Sequence, residues 1–195
     1  MLFSRAVIPN DPLADTHIVA GGESLYVIAK RNRITEKLLA SINQITNASR
    51  LRVGARLKIL HGPFRAVIYK SLHRLDIYLG DIYVRSFHVG LGTNGGTPLG
   101  DWRIGTKLNN PDWTDPTNGT HYAADDPTNP IGEHWIGLEG VSGAAVGQIG
   151  YGIHGTIEPE SIGKNVSLGC VRLHNKDVAL LFSMLVERQS HVIIE

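Results

Sequence analysis

Cysteine is almost absent. Cys170 is the sole thiol in 195 residues, so no intrachain disulfide can brace the fold and no redox compartment can be read from thiol usage. Long apolar runs are missing too. The longest, Val178 to Val186, is far shorter than the roughly 20 residues a spanning helix needs, so no transmembrane span is expected. Met1 to Leu13 lacks a basic start followed by an apolar core, so no signal peptide is expected there. The chain is then expected to be cytoplasmic, exported by another route, or shorn of a leader. There is no excess of charge of one sign, since 19 Lys and Arg face 18 Asp and Glu. The basic residues are scattered and not interleaved with aromatics, so nucleic acid is not an expected partner. No His or Cys pair has short metal-ligand spacing. A zinc hydrolase built on His121, His134, His154, His174 and Cys170 therefore ranks below thiol chemistry, and no metal is expected.

The residues present describe a globular chain. Hydrophobic residues make up 42% and charged residues 19%, which excludes a disordered composition. The 22 glycines favour β structure with many turns. Charge is unevenly spread. Residues 1–60 hold nine Lys/Arg against four acids, and the remainder holds ten against fourteen. That break suggests two domains, 16–61 and 64–195, with His61-Gly62-Pro63 as the linker.

In the first domain, His17 to Ala20 reads as a strand. Ser24 caps a helix bearing Leu25, Ile28 and Ala29, and Thr35 caps a second bearing Leu38, Leu39 and Ile42. Arg56 to Leu60 alternates like a strand. The order is βααβ. In the second domain, strands are expected at 64–70, 74–79, 82–89, 101–107, 134–138, 152–154 and 191–194. Gly80-Asp81 is placed in a hairpin turn. The spacing predicts one helix over 175–187, capped by Asn175 or Asp177. The expected class is mainly β, a sandwich or barrel-like domain preceded by a small βααβ unit. Asn109 to Pro130 is a long polar stretch, and its Trp113 and Tyr122 favour a binding loop.

The densest chemistry lies in Tyr151-Gly152-Ile153-His154-Gly155-Thr156 and Ser167-Leu168-Gly169-Cys170-Val171-Arg172. A lone cysteine is more often a small buried hydrophobe than a nucleophile. Here the preceding Ser167-Leu168-Gly169 turn can leave backbone N–H groups aimed at one spot, as an oxyanion hole requires. Arg172 shares a side of the extended segment with Cys170, where it can hold a carboxylate or lower the thiol pKa. A thiol needs a base, and His154, at a strand end before Gly155, is the best of nine histidines.

Two resemblances follow. Residues Gly22-Glu23-Ser24-Leu25, Val27-Ile28-Ala29-Lys30, Leu38-Leu39-Ala40-Ser41-Ile42-Asn43 and Val53-Gly54-Ala55-Arg56-Leu57-Lys58-Ile59 resemble the lysin motif (LysM). That resemblance implies binding of N-acetylglucosamine glycans such as peptidoglycan. His154-Gly155-Thr156 with Ser167-Leu168-Gly169-Cys170-Val171-Arg172, supported by Thr97-Pro98-Leu99-Gly100 and Asn110-Pro111-Asp112-Trp113, resembles the L,D-transpeptidase catalytic signature over residues 64–195.

The second resemblance implies a cofactor-free, cysteine-dependent acyltransferase of the cell envelope. Cys170 attacks the third-residue carbonyl of a peptidoglycan stem, a D-amino acid leaves, and an amine accepts the acyl group. His154 is the implied base, and the carbonyl of Gly155 orients its ring. Ser167, Leu168 and Gly169 form the oxyanion turn. Arg172, Tyr151 and Trp113 are the expected substrate contacts. Leu168 and Gly155 are departures, since many members have histidine at the first place and some have serine at the second. Hydrolysis of the same bond, as an L,D-carboxypeptidase, is one alternative. A non-catalytic wall-binding LysM protein is the other.

Overall fold

The computed structural model describes residues 3–8 and 11–195. Met1, Leu2, Pro9 and Asn10, part of the stretch read for a leader, lie outside the described residues. The N-terminal unit runs β1 (Ala14–Ile18), α1 (Leu25–Arg31), α2 (Glu36–Ile42) and β2 (Arg56–Leu60). Both predicted caps form: Ser24 Oγ accepts from the Val27 N–H at 3.3 Å and Thr35 Oγ1 from the Leu38 N–H at 3.0 Å. Each such cap contributes about 1 kcal/mol. The helices bury Leu25, Ile28, Leu38, Leu39 and Ile42 against β2. Buried Asn43 ties α2 to β2, donating to the carbonyls of Leu39 and Lys58 and accepting from the Lys58 N–H. β1 begins earlier than the predicted strand because its antiparallel partner β2 extends to Leu60, which pairs with Ala14.

The second unit runs β3 (Phe64–Tyr69), β4 (Arg74–Leu79), β5 (Ile82–His88), β6 (Leu91–Gly92), β7 (Gly100–Asn109), β8 (Trp113–Thr114), β9 (His121–Tyr122), β10 (His134–Gly140), β11 (Gly152–His154), β12 (Asn165–Ser167), β13 (Val171–Arg172), α3 (Asn175–Met184) and β14 (His191–Ile194). The mainly β expectation holds. Eight strands form one curled sheet in the order β13-β11-β10-β7-β14-β3-β4-β5. Its core centres on fully buried Trp102, Phe64, Ile68, Leu75 and Ile77. β7 is longer than predicted because it lies between β10 and β14 and is paired on both edges.

Helix α3 differs from its prediction at both ends. His174 occupies the N-cap position without a side-chain bond, because Asn175 Oδ1 instead accepts from the Thr156 N–H at 2.9 Å. The helix stops at Met184, where Lys107 Nζ donates to the carbonyls of Phe182 and Leu185 at 2.5 and 2.6 Å. The same end meets the N-terminal unit, with the Thr35 hydroxyl donating to the Ser183 carbonyl. At the linker, the Gly62 N–H donates to the Asn32 carbonyl at 2.9 Å. Among the described residues, no helix is long and apolar enough to cross a membrane.

Candidate active site

Strand order brings the two signature segments together. β11 and β13 are parallel neighbours, with Ile153 opposite Val171 and His154 opposite Arg172. Cys170, immediately before β13, therefore lies beside the end of β11. Both Cys170 and His154 line one cleft of about 260 Å³. Trp113, Tyr151, Leu168, Gly169, Ser167 and Arg172 line it as well, so most of the expected site residues meet in one place.

The imidazole has a defined tautomer. Nδ1 lies 2.6 Å from the Gly155 carbonyl, which can only accept, so Nδ1 carries the proton and Nε2 carries the lone pair. Gly155 is thus at the position expected to orient the ring. Glycine also suits the packing, since a Cβ there would lie 2.1 Å from Asn175 Oδ1. Burial holds the His154 pKa down at about 4, with the Arg172 charge acting the same way and the Gly155 bond opposing both. The imidazole is neutral near pH 7.

The thiol rests protonated. Sγ donates to the Gly150 carbonyl at 3.6 Å, and burial pushes its pKa up. The Gly152 N–H and the Arg172 charge pull it down, but by less. Arg172 therefore acts in the direction expected of it without producing a net depression. Its guanidinium is committed on one side, with Nη1 2.7 Å from Glu158 Oε2.

The 167–169 turn is tightly held. Ser167 Oγ donates to the Cys170 carbonyl at 2.7 Å and accepts from the Gly169 N–H at 3.1 Å. The Gly169 N–H is therefore already bonded within the turn. Gly169 has φ +147°, and a Cβ there would meet Tyr151 Cε1 at 2.7 Å. Its carbonyl accepts from the buried Thr97 hydroxyl at 2.8 Å, and that oxygen accepts from the Gly92 N–H at 2.8 Å. Leu168 is 68% exposed at the rim. Trp113, on β8, stacks on Tyr122 of β9 with centroids 5.8 Å apart, so the polar stretch 109–130 carries a small hairpin over the cleft.

Sequence reasoning missed Trp135, Asn175 and Glu158, and missed the supporting role of Thr97. The only sequence signal was Thr97 within its Thr-Pro-x-Gly element.

A thiol and a neutral imidazole in one apolar-walled cleft are the equipment of a thiol-dependent acyl-transfer enzyme. Residues 63–194 match the L,D-transpeptidase catalytic domain, and residues 17–60 match the LysM domain. The putative L,D-transpeptidase YkuD of Bacillus licheniformis is 30% identical over 177 residues, covering 86% of this chain and 91% of that protein. The putative L,D-transpeptidase YqjB of Bacillus subtilis is 34% identical over 127 residues, covering 65% and 68% respectively. An L,D-transpeptidase structure from Mycobacterium smegmatis shares the fold with a TM-score of 0.53 at 18% identity. That match covers 74% of this chain, which spans only 64% of the solved one. The chain belongs to the L,D-transpeptidase family and carries a LysM domain ahead of its catalytic domain. Cysteine-dependent transpeptidation of peptidoglycan is the function these likenesses support, and they tie the chain to the cell wall or envelope.

Proposed function

We propose that Cys170 is the nucleophile and His154 the general base of a peptidoglycan L,D-transpeptidase. The observation that carries this reading is the shared cleft, whose walls hold both the thiol and a neutral imidazole with Nε2 unprotonated. His154 Nε2 takes the Sγ proton, and the thiolate attacks the third-residue carbonyl of a stem tetrapeptide. The oxyanion forms against backbone donors of the 168–170 turn and, where the Gly169 N–H takes part, at the cost of its bond to Ser167. Collapse expels the terminal D-amino acid as an amine, which takes the proton from imidazolium, and a thioester remains. An acceptor amine attacks the thioester, gives its proton to His154, and the thiol is restored.

Arg172 is free on the side away from Glu158 to meet a substrate carboxylate, and Tyr151 and Trp113 form apolar walls. Residues 16–61 bind N-acetylglucosamine glycan as a unit separate from the catalytic residues 64–195. Incubation with a disaccharide tetrapeptide tests the scheme. A Cys170 thioester and released D-Ala, read by mass spectrometry, are expected. Cys170→Ala should abolish turnover yet leave binding to sacculi. Glycan binding without adduct or product would favour an inert wall-binding protein.

A further inference from the structure

His154 is held on two sides. At its edge, Nδ1 donates to the Gly155 carbonyl. Across its face lies the indole of Trp135, with ring centroids 5.8 Å apart and planes 19° from parallel. Sheet register puts it there. Trp135 on β10 is the antiparallel partner of His154 on β11, and directly opposed residues place their side chains on the same face.

The surroundings are cut to fit this ring. Gly152 precedes His154 by two on the same strand, so it faces the same side. A Cβ on Gly152 would come within 2.5 Å of the indole carbons, which leaves glycine as the residue that lets the ring lie flat. Trp135 is half-buried and lines the cleft that holds Cys170.

One hydrogen bond does not fix an imidazole. The terminal torsion of histidine is broad, and the ring can rock about it while keeping an edge contact. A flat partner on the ring face removes that freedom and covers the face from water.

We propose that Trp135 is a positioning residue for the base, holding the plane of His154 so that Nε2 stays directed at the thiol and shielding that face from solvent. The proposal rests on His154 serving Cys170 as base, and it does not need Trp135 to touch substrate. Losing the indole has two consequences. The imidazole rocks, so fewer approaches to the thiol are productive. Water also reaches the ring and solvates the imidazolium, so the ring titrates nearer its ordinary value. A cation–π attraction between indole and imidazolium acts the opposite way. Burial is the largest cause of the low His154 pKa, so the upward movement wins.

The test compares Trp135→Leu with Trp135→Phe in the full chain. The His154 ring signal is titrated by NMR in isotope-labelled protein and assigned by its loss in His154→Gln. Tetrapeptide turnover is measured in parallel. In Trp135→Leu the titration midpoint should rise by about one pH unit or more. Its kcat should fall about tenfold with KM changed less than about twofold. Trp135→Phe, which keeps a flat ring, should stay within about threefold of the parent in kcat. A Leu variant that titrates like the parent overturns the proposal. So does one whose KM rises while kcat holds, which would make Trp135 a substrate wall, and so does a Phe variant as poor as Leu. Gly152→Ala pushes the indole aside and must raise the midpoint too, which gives the readout if Trp135→Leu fails to fold. The titration needs no substrate. An inactive parent protein would count against the transpeptidase reading, and the titration alone would still decide the role of Trp135.

Discussion

Replacing Thr97 with valine should destabilise the domain and slow the enzyme together. Thr97 is 1% exposed, and its hydroxyl bridges two segments of the site. It accepts from the Gly92 N–H and donates to the Gly169 carbonyl, both at 2.8 Å. Valine fills the same space, so no cavity opens and the loss is confined to hydrogen bonding. Each backbone group left unpaired in the interior costs about 1–3 kcal/mol. The added buried methyl offsets somewhat under 1 kcal/mol of this. The net cost is about 2–4 kcal/mol, or roughly 5–15 °C in Tm for a chain of this size. The Gly169 carbonyl also anchors the turn that presents Cys170, so turnover should fall about tenfold or more. Calorimetry and the tetrapeptide assay, run on Thr97→Val and on Thr97→Ser as the hydroxyl-bearing control, read both effects. A valine variant that melts within 1–2 °C of the parent, roughly half a kcal/mol, would refute this reasoning. So would a serine variant as damaged as the valine one.

Three further outcomes follow from the geometry of the His154 imidazole. Gly155→Ala forces a methyl against Asn175 Oδ1, so either the Asn175 amide loses its bond to the Thr156 N–H or the backbone that orients His154 shifts. About 1–3 kcal/mol of stability and roughly 100-fold in kcat should be lost, measured by denaturation and steady-state kinetics. The pH dependence should also be unusual for a histidine enzyme. With His154 held at about 4, the acidic limb of kcat/KM should lie well below the ordinary histidine range. The same depression makes stability depend on pH. The unfolded chain binds the proton first, so the contribution is full above about pH 6.5 and is lost as pH falls from there through about 4. His154→Gln should flatten that part of the stability curve, and an unchanged slope would contradict the assignment.

Much of the fold was legible because it is written in local chemistry. Ser24 and Thr35 cap the helices they precede in sequence, since the acceptor and the N–H groups lie within one turn. Strands β4, β11 and β14 fall on their predicted residues because alternation and flanking turns mark them without reference to a partner. Where a distant group decides, the reading slipped. Helix α3 ends at Met184 because Lys107, far away in sequence, takes its last carbonyls.

The candidate site divides the same way. The sequence by itself singled out Cys170 and His154, the proposed nucleophile and base, and the glycines beside them, since these are residue types in a fixed local order. Only the tertiary structure decided what holds them. The Trp135 face on His154, the Asn175 wedge at Gly155, the Thr97 bridge to Gly169 and the Glu158 grip on Arg172 join residues from different elements. Most of those contacts depend on which strands become neighbours and in what register, and side-chain periodicity along a single strand carries no information about its partner.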